Sequence, residues 1–362
     1  MSPTADARAR SLVTAAIAAL DRDRVRAARE LFAQACELAG DDATRADALA
    51  GLGRTAHRLG RPAEAVELIE RSLALAGERP SDRPDLAETL GRSYAEIGEL
   101  ERAAAVFDEC RLRCRRERNR VDETRFACLV GYALTDCGRF EDAERALADA
   151  LEAGADAVDA MTRARLCWAQ ARLRGEQGQT ELAAEHARAA LEVLATTDEV
   201  HSLALTYELL ASLYNDLGRS DEALSLLREG WPMLMTHASP LEVVHYRLEE
   251  ARALAATGET EGAAALAMRI ASQLDGALPG DLGRAHVLLG EIFDKLGDAS
   301  RAHEHYSSGI VLLERQGPSR YLANAYKRVG ELFEAEYRTK DALAVLKRAF
   351  AVQRRIENSV PA

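Results

Sequence analysis

Aromatic side chains are scarce in this chain, at 5% of 362 residues, and proline occurs only nine times. β-Branched runs are few as well, which leaves little material for a sheet. No apolar stretch approaches the length of about eighteen residues that a membrane-spanning helix needs. The amino-terminal MSPTADARAR is not followed by an uninterrupted apolar segment with a clear cleavage site. The nearest stretch, SLVTAAIAAL, runs into DRDRVRAARE and suits an amphipathic helix, so a cytoplasmic protein is expected. Positive charge is also in deficit. With 59 acidic against 47 basic residues, a formal net charge of -12 and a pI near 5.3, the chain lacks the field that general nucleic-acid binding requires. No HExxH, GxSxG or phosphate-loop pattern occurs, so the chain is not expected to be an enzyme or to need a cofactor. Six cysteines, at 36, 110, 114, 128, 137 and 167, are scattered without a framework and are expected to be reduced thiols.

What is abundant is alanine and leucine, within a 48% hydrophobic and 29% charged composition that favours ordered helix. At ordinary domain size 362 residues would make two or three domains, but repeat proteins grow by stacking units. One phrase recurs: LGRPAEA from Leu59, IGELERA from Ile97, CGRFEDA from Cys137, QGQTELA from Gln177, LGRSDEA from Leu217, TGETEGA from Thr257 and LGDASRA from Leu296. EYRTKDA from Glu336 is a weaker copy and DRDRVRA from Asp21 a degenerate one. The phrase glycines fall at 60, 98, 138, 178, 218, 258 and 297, a spacing of 38 to 40 residues that holds over most of the chain. Each phrase predicts a helix–turn–helix. The glycine ends the first helix in the left-handed conformation, and Pro62, Thr180, Ser220 or Thr260 opens or caps the second. Large and small residues alternate around it: Leu90, Gly91, Tyr94, Gly98, Ala103, Phe107 and Cys110 in the third unit, and Leu289, Gly290, Phe293, Gly297, Ala302, Tyr306 and Gly309 in the eighth.

This pattern resembles the tetratricopeptide repeat, whose consensus carries a leucine–glycine pair, an aromatic three residues later, an alanine, and an aromatic in the second helix. The resemblance covers nearly the whole chain and is weaker in unit one and in units five and seven, where Ala171 and Ala251 replace the first-helix glycine. The period exceeds the standard repeat and is similar to the longer repeats of kinesin light chains and of sensor regions in bacterial transcription regulators. The resemblance implies an all-α, right-handed superhelical solenoid spanning 1–362 as a single domain. Nine repeats are expected, at roughly 3–40, 43–78, 83–118, 120–155, 157–197, 198–237, 240–275, 280–316 and 318–357. ERPSDRP (Glu78–Pro84) is expected to form a longer turn, and Pro232 in WPMLMTHASP to break or kink a second helix.

The remaining constellations have plainer readings. GLGRTA from Gly51 mimics a dinucleotide-binding motif but lies inside a first helix, with Gly53 as its packing glycine. Cys110 and Cys114 share a helix face but have no second ligand pair, and Cys110 occupies the small-residue position of Ala150, Ala190, Gly230 and Ala349; packing is expected rather than a metal site. Cys137 takes the slot of Leu59, Ile97, Leu217 and Leu296, expected to be core. His303 and His305 point to different faces, and His286 takes a packing position. The arginine-rich stretch CRLRCRRERNR (Cys110–Arg120) closes a second helix, where positive charge complements the helix dipole, and is expected to be a solvated edge.

In tetratricopeptide repeats the positions three before and one after the first-helix glycine face the concave groove, and the resemblance carries this over to Arg54, Arg92, Tyr132, Trp168, Arg172, Glu208 and Arg252. Six before that glycine lie Arg125 and Arg165, with His245 and Arg284 in the same register. Arginine and exposed aromatics are the side chains that anchor partners, and a carboxylate-bearing or acidic peptide is the guest that they suit. The same arginines could instead pair with neighbouring glutamates such as Glu88 and Glu176. The resemblance therefore implies a non-catalytic protein- or peptide-binding scaffold. The alternative is the peptide-sensing and dimerisation module of a bacterial transcription-regulatory system, without a DNA-binding domain of its own because the first repeat helix starts within about ten residues. Leu343, Leu346, Phe350 and Ile356 on the last helix suggest a homodimer contact.

Overall fold

The computed structural model describes residues 5–22, 24–152, 159–236, 238, 240–274, 279–316 and 320–358. They form α1 (Ala5–Asp21), α2 (Val25–Leu38), α3 (Asp42–Arg58), α4 (Pro62–Ala76), α5 (Pro84–Glu96), α6 (Leu100–Glu117), α7 (Arg120–Asp136), α8 (Phe140–Glu152) and α9 (Ala160–Glu176). There follow α10 (Thr180–Leu194), α11 (Val200–Asp216), α12 (Ser220–Leu234), α13 (Pro240–Thr257), α14 (Thr260–Gln273), α15 (Pro279–Lys295), α16 (Ala299–Gln316), α17 (Arg320–Ala335) and α18 (Thr339–Asn358). No strand occurs among the described residues, and consecutive helices pair across the phrase glycines. All seven of these glycines have positive φ, from 70° at Gly60 to 96° at Gly258, as the left-handed end of a helix requires. Tyr337 occupies the same position in the weak copy, with φ 60° and 94% exposure.

Two compact units emerge. One holds α1 to α7 and α8 from Glu141; the other holds α9 to α18 with the Cys137–Phe140 turn. Inside each, helix pairs close through a size match at a fixed spacing of sixteen residues. A methyl group placed on Gly91 would lie 2.3 Å from the Phe107 ring, and one on Gly53 2.5 Å from Ile69. Gly131 meets Leu147 at 2.8 Å, Gly290 meets Tyr306 at 2.7 Å and Gly330 meets Leu346 at 2.7 Å in the same way. Where alanine replaces the glycine, at Ala171 and Ala251, the residue sixteen on shrinks to Ala187 and Ala267, each in the same buried cluster as its partner. The few large side chains are thus spent where a bare backbone can receive them.

Several local expectations are corrected. Pro232 does not break its helix: α12 runs on to Leu234. The proline sits in the last turn, where it forfeits little more than its own bond back to the carbonyl of Arg228. The slot of Cys137 is only partly core, because it caps the first helix beside the open turn: Cys137 and Leu217 are half-buried, Leu217 against the core of its unit, while Ile97 is 36% and Leu296 41% exposed. The arginine-rich stretch is a solvated edge from Arg115 to Arg120, as expected, but its arginines are also paired with neighbouring elements. Arg111, with its side chain 12% exposed, pairs with Asp108 at 2.7 Å and with Asp149 of α8 at 3.6 Å. Arg113 holds Asp82 in the short 3₁₀ turn Pro80–Asp82 within ERPSDRP. Arg115 and Arg120 clamp the fully buried Glu123 of α7 at 2.7 and 3.1 Å. A carboxylate taken out of water demands such partners, and the patch ties α6 to its neighbours. Cys110 and Cys114 are buried in the same region, and burial pushes the Cys110 thiol up to about 12.

The size match has a measurable consequence. Gly91→Ala should destabilise by about 1–3 kcal/mol through overpacking, and Phe107→Ala by about 3–5 kcal/mol through a cavity. The double variant should lose clearly less than the sum, because each change relieves the other. Strict additivity in urea unfolding of the four proteins would contradict the match.

Candidate functional site

The odd-numbered helices from α3 onward are the first helices of their pairs, and ion pairs join one to the next. In the first unit Arg54 of α3 holds Asp85 of α5. Glu88 of α5 lies between two guanidiniums, Arg92 at 2.9 Å and Arg125 of α7 at 2.9 Å, and Arg125 also reaches Asp122 at 2.9 Å. Tyr132 is half-buried on α7. In the second unit Arg252 of α13 meets Asp216 of α11 at 2.5 Å, and Arg328 of α17 meets Glu291 of α15 at 3.5 Å. Trp168 does not offer a free indole: its Nε1–H donates to Thr206 Oγ1 at 3.0 Å, and its ring packs on the cluster of Ala164, Ala190 and Leu194. Arg165 is half-buried and Arg172 exposed on the same helix, α9. Of the nine expected site residues the structure brings together Arg92 with Arg125, through Glu88, and Glu208 with Arg252, in a cleft of the second unit.

That cleft has a volume of about 500 Å³ and is lined mainly by first helices, from Glu176 on α9 across α11, α13 and α15 to Asn324 on α17. An adjoining cleft of about 320 Å³ shares Arg252, Leu288, Glu291 and Asn324 with it. The larger lining carries five carboxylates, Glu176, Glu208, Asp216, Glu249 and Glu291, against Arg252, Arg284 and His245. The cations are engaged: His245 Nε2 lies 2.9 Å from Asp281, Arg284 lies 3.7 Å from the same carboxylate, and Arg252 adds Glu249 at 3.6 Å. Burial by itself would push His245 down, but the hydrogen bond and charge of Asp281 raise it, which favours the imidazolium.

Glu208 differs from its neighbours. It lines the cleft, half-buried and crowded by protein, and its carboxylate has neither a hydrogen bond nor an ion pair among the described residues. Burial pushes its carboxyl up to about 7; Glu249 and Glu242 add to this, while His245 and Arg284 oppose it. Asn215 donates from Nδ2 to the Glu249 backbone oxygen at 3.1 Å and to its carboxylate at 3.0 Å, leaving its buried Oδ1 without a donor.

A further row is readable in the sequence and absent from the expected site. Glu96, Asp136, Glu176 and Asp216 recur every forty residues, five after the small first-helix residue. Acids in a last helical turn oppose the helix dipole, which marks them as groups held there by partners; Asp216 has Arg252, and Glu96 has His57 at 3.7 Å. The histidines behave locally. His303 pairs with Glu336 at 2.9 Å, while His305 shares a 3.0 Å hydrogen bond with His286 and stacks on Phe293. Among the described residues no three metal-ligating side chains converge, and no helix is long and apolar enough to cross a membrane.

The raised Glu208 carboxyl has a signed effect on stability. The folded state binds its proton more tightly than the unfolded state, whose carboxyl titrates near 4.5, so stability falls as pH rises from about 4.5 through 7. Glu208→Gln should be more stable than the parent at pH 8, by on the order of 2 kcal/mol, and should match it near pH 4. His245 slopes the same way, so the difference between the two proteins isolates Glu208. Melting curves at the two pH values measure it, and parallel curves would refute the unpaired carboxylate.

Comparison with known proteins agrees with this architecture. Tetratricopeptide-repeat family models match residues 48–84 and 204–229. A search of curated proteins finds no match to the chain. Among solved structures, the apo form of the quorum sensor NprR from B. thuringiensis superposes with a TM-score of 0.66 at 14% identity, covering 85% of this chain and 88% of that one. A Rap protein complexed with competence and sporulation factor gives 0.66 at 12% identity, covering 98% and 100%. NprR in complex with its cognate peptide NprX gives 0.55 at 12% identity, covering 64% and 67%. Paired helices turning on left-handed glycines, two matched segments and these likenesses together make the chain a tetratricopeptide-repeat-like protein.

Proposed function

We propose that this chain is a non-catalytic scaffold that binds a peptide or protein segment along its first-helix faces. The observation that carries the reading is the second-unit cleft, lined by successive first helices and furnished with charged groups around a short apolar floor of Leu248, Val287 and Leu288. The likeness in fold to a protein solved with its cognate peptide supports it. Arg54, Arg92, Arg125, Tyr132, Arg165, Trp168, Arg172, Glu208 and Arg252 are the proposed contact residues. In the first unit an acidic segment would exchange with Glu88 on Arg92 and Arg125, trading one carboxylate for another at little loss. A second reading, favoured by the likeness to a quorum sensor, is a peptide-sensing module of a bacterial regulatory system in the cytoplasm.

Selection from a random hexapeptide library against the full chain tests the proposal. Recovered peptides should raise the melting temperature, and Arg252→Glu or Arg92→Glu with Arg125→Glu should weaken at least some of them about tenfold without loss of helix content. A chain that recovers no peptide is not such a scaffold. Under the sensor reading a bound peptide should also change the scattering radius; an unchanged radius favours the plain scaffold.

A homodimer through α18 belongs to the same proposal. Leu343 and Phe350 are 55% and 64% exposed there, whereas Leu346 turns inward onto Gly330, and the Ile356 side chain lies outside the described residues. Sedimentation should give a dimer mass that Phe350→Glu converts to monomer; a monomer at all concentrations would remove this contact.

A further inference from the structure

We infer that Glu208 receives a cationic group of the bound peptide, a primary ammonium or a guanidinium, in the second-unit cleft. The inference rests on the peptide-binding reading and adds the chemistry of the guest to it.

The carboxylate is surrounded from two sides. From α13 it faces Glu242, His245 and Glu249, and from α15 Arg284. Glu176 of α9 and Arg252 of α13 line the same cleft. Each nearby cation is committed elsewhere. His245 and Arg284 converge on Asp281, Arg252 bridges Asp216 and Glu249, and Glu242 is occupied by His201 at 3.1 Å. No cation of the described chain lies within 4.0 Å of Glu208 to complete it. A carboxylate removed from bulk water without a partner is unfavourable, and a guest that brings a positive donor removes that penalty.

A second acceptor nearby is neutral. Asn215 is 9% exposed, lines the adjoining cleft, and has its amide oriented by two hydrogen bonds from Nδ2. Its Oδ1 therefore stays an acceptor without a donor. That acceptor is closed to solvent, and its cleft carries Arg252, Lys295, Lys327 and Arg328 against Glu291, so the demand for a positive donor is set by Glu208 in the larger cleft. There the surplus of carboxylates over free cations selects the sign of the guest.

Because the empty carboxyl titrates at about 7, a cationic guest must displace its proton in acid. Affinity should fall roughly 30-fold from pH 8 to pH 5.5, one decade per pH unit below the carboxyl pKa. Hexapeptides with free amino termini, recovered from the random library at pH 8, are the probe. Each is compared with its N-acetylated form and with a form whose lysines and arginines are replaced by glutamine, which tells a chain-terminal ammonium from a side-chain cation. The expected result is that one of these changes abolishes binding to the parent protein. Glu208→Gln should bind the original peptides about tenfold more weakly at pH 8 and show no loss between pH 8 and 5.5. Peptides that bind the parent and Glu208→Gln equally, with equal pH dependence, would overturn the inference while leaving the peptide-binding reading intact. Recovery of no peptide at all would remove both. Glu208→Asp, which keeps the charge, should retain part of the pH dependence, so a loss caused by general disruption is distinguishable.

Discussion

The fold depends on how closely two helices of a pair can approach. Ridge-into-groove packing between helices this rich in alanine brings backbones near enough that a single large side chain must find a place without a Cβ opposite. The chain meets this requirement with one reciprocal rule. A first-helix glycine faces a large residue sixteen positions on, as Gly91 faces Phe107, and a first-helix alanine faces an alanine at Ala171 and Ala251, with Ala211 opposite Leu227 as the exception. The low aromatic content follows, since each crossing has room for one bulky group. The register that seats the small residues inward also fixes which first-helix positions face out.

On those outward positions charge is arranged between helices as well as along them. Asp85, Glu88 and Asp216 each take a guanidinium from the adjacent first helix, and Asp281 takes an imidazolium. Pairs of this kind are individually weak where water reaches them. Their effect on function lies in removing available charge: the arginines that would make a positive groove are already neutralised, and the sign of the second-unit cleft is left to the carboxylate that has no partner.

The periodic glycines make the helix–turn–helix plan legible, because a left-handed residue at a fixed interval is what a regularly repeated helix end requires, and the tight points at Gly91 and Gly290 follow from the same spacing. The places of Arg54, Arg92, Arg125 and Arg252 on first helices can be named from the repeat. The pairing of Arg54, Arg125 and Arg252 cannot, because each partner lies on another helix, more than thirty residues away. Glu208 shows the limit most clearly. Its position can be named from the repeat, but its elevated carboxyl depends on Glu242, Glu249 and the prior commitment of His245, none of which a one-helix pattern contains. The role of CRLRCRRERNR escapes the sequence for the same reason, since Glu123, Asp82 and Asp149 lie on three separate elements.

The alanine–alanine crossings bear on how such a chain can diverge. A glycine–phenylalanine crossing and an alanine–alanine crossing are both well filled, but the single steps between them pass through either an overfilled or a hollow intermediate. Each intermediate forfeits a few kcal/mol from a total stability of about 5–15 kcal/mol. Repeats copied from one ancestor would therefore tend to keep whichever crossing they inherited, unless a more stable background carried both changes. Ala171 with Ala187 and Ala251 with Ala267 would then mark two completed passages, separated in the chain by a crossing of intermediate size, Ala211 with Leu227.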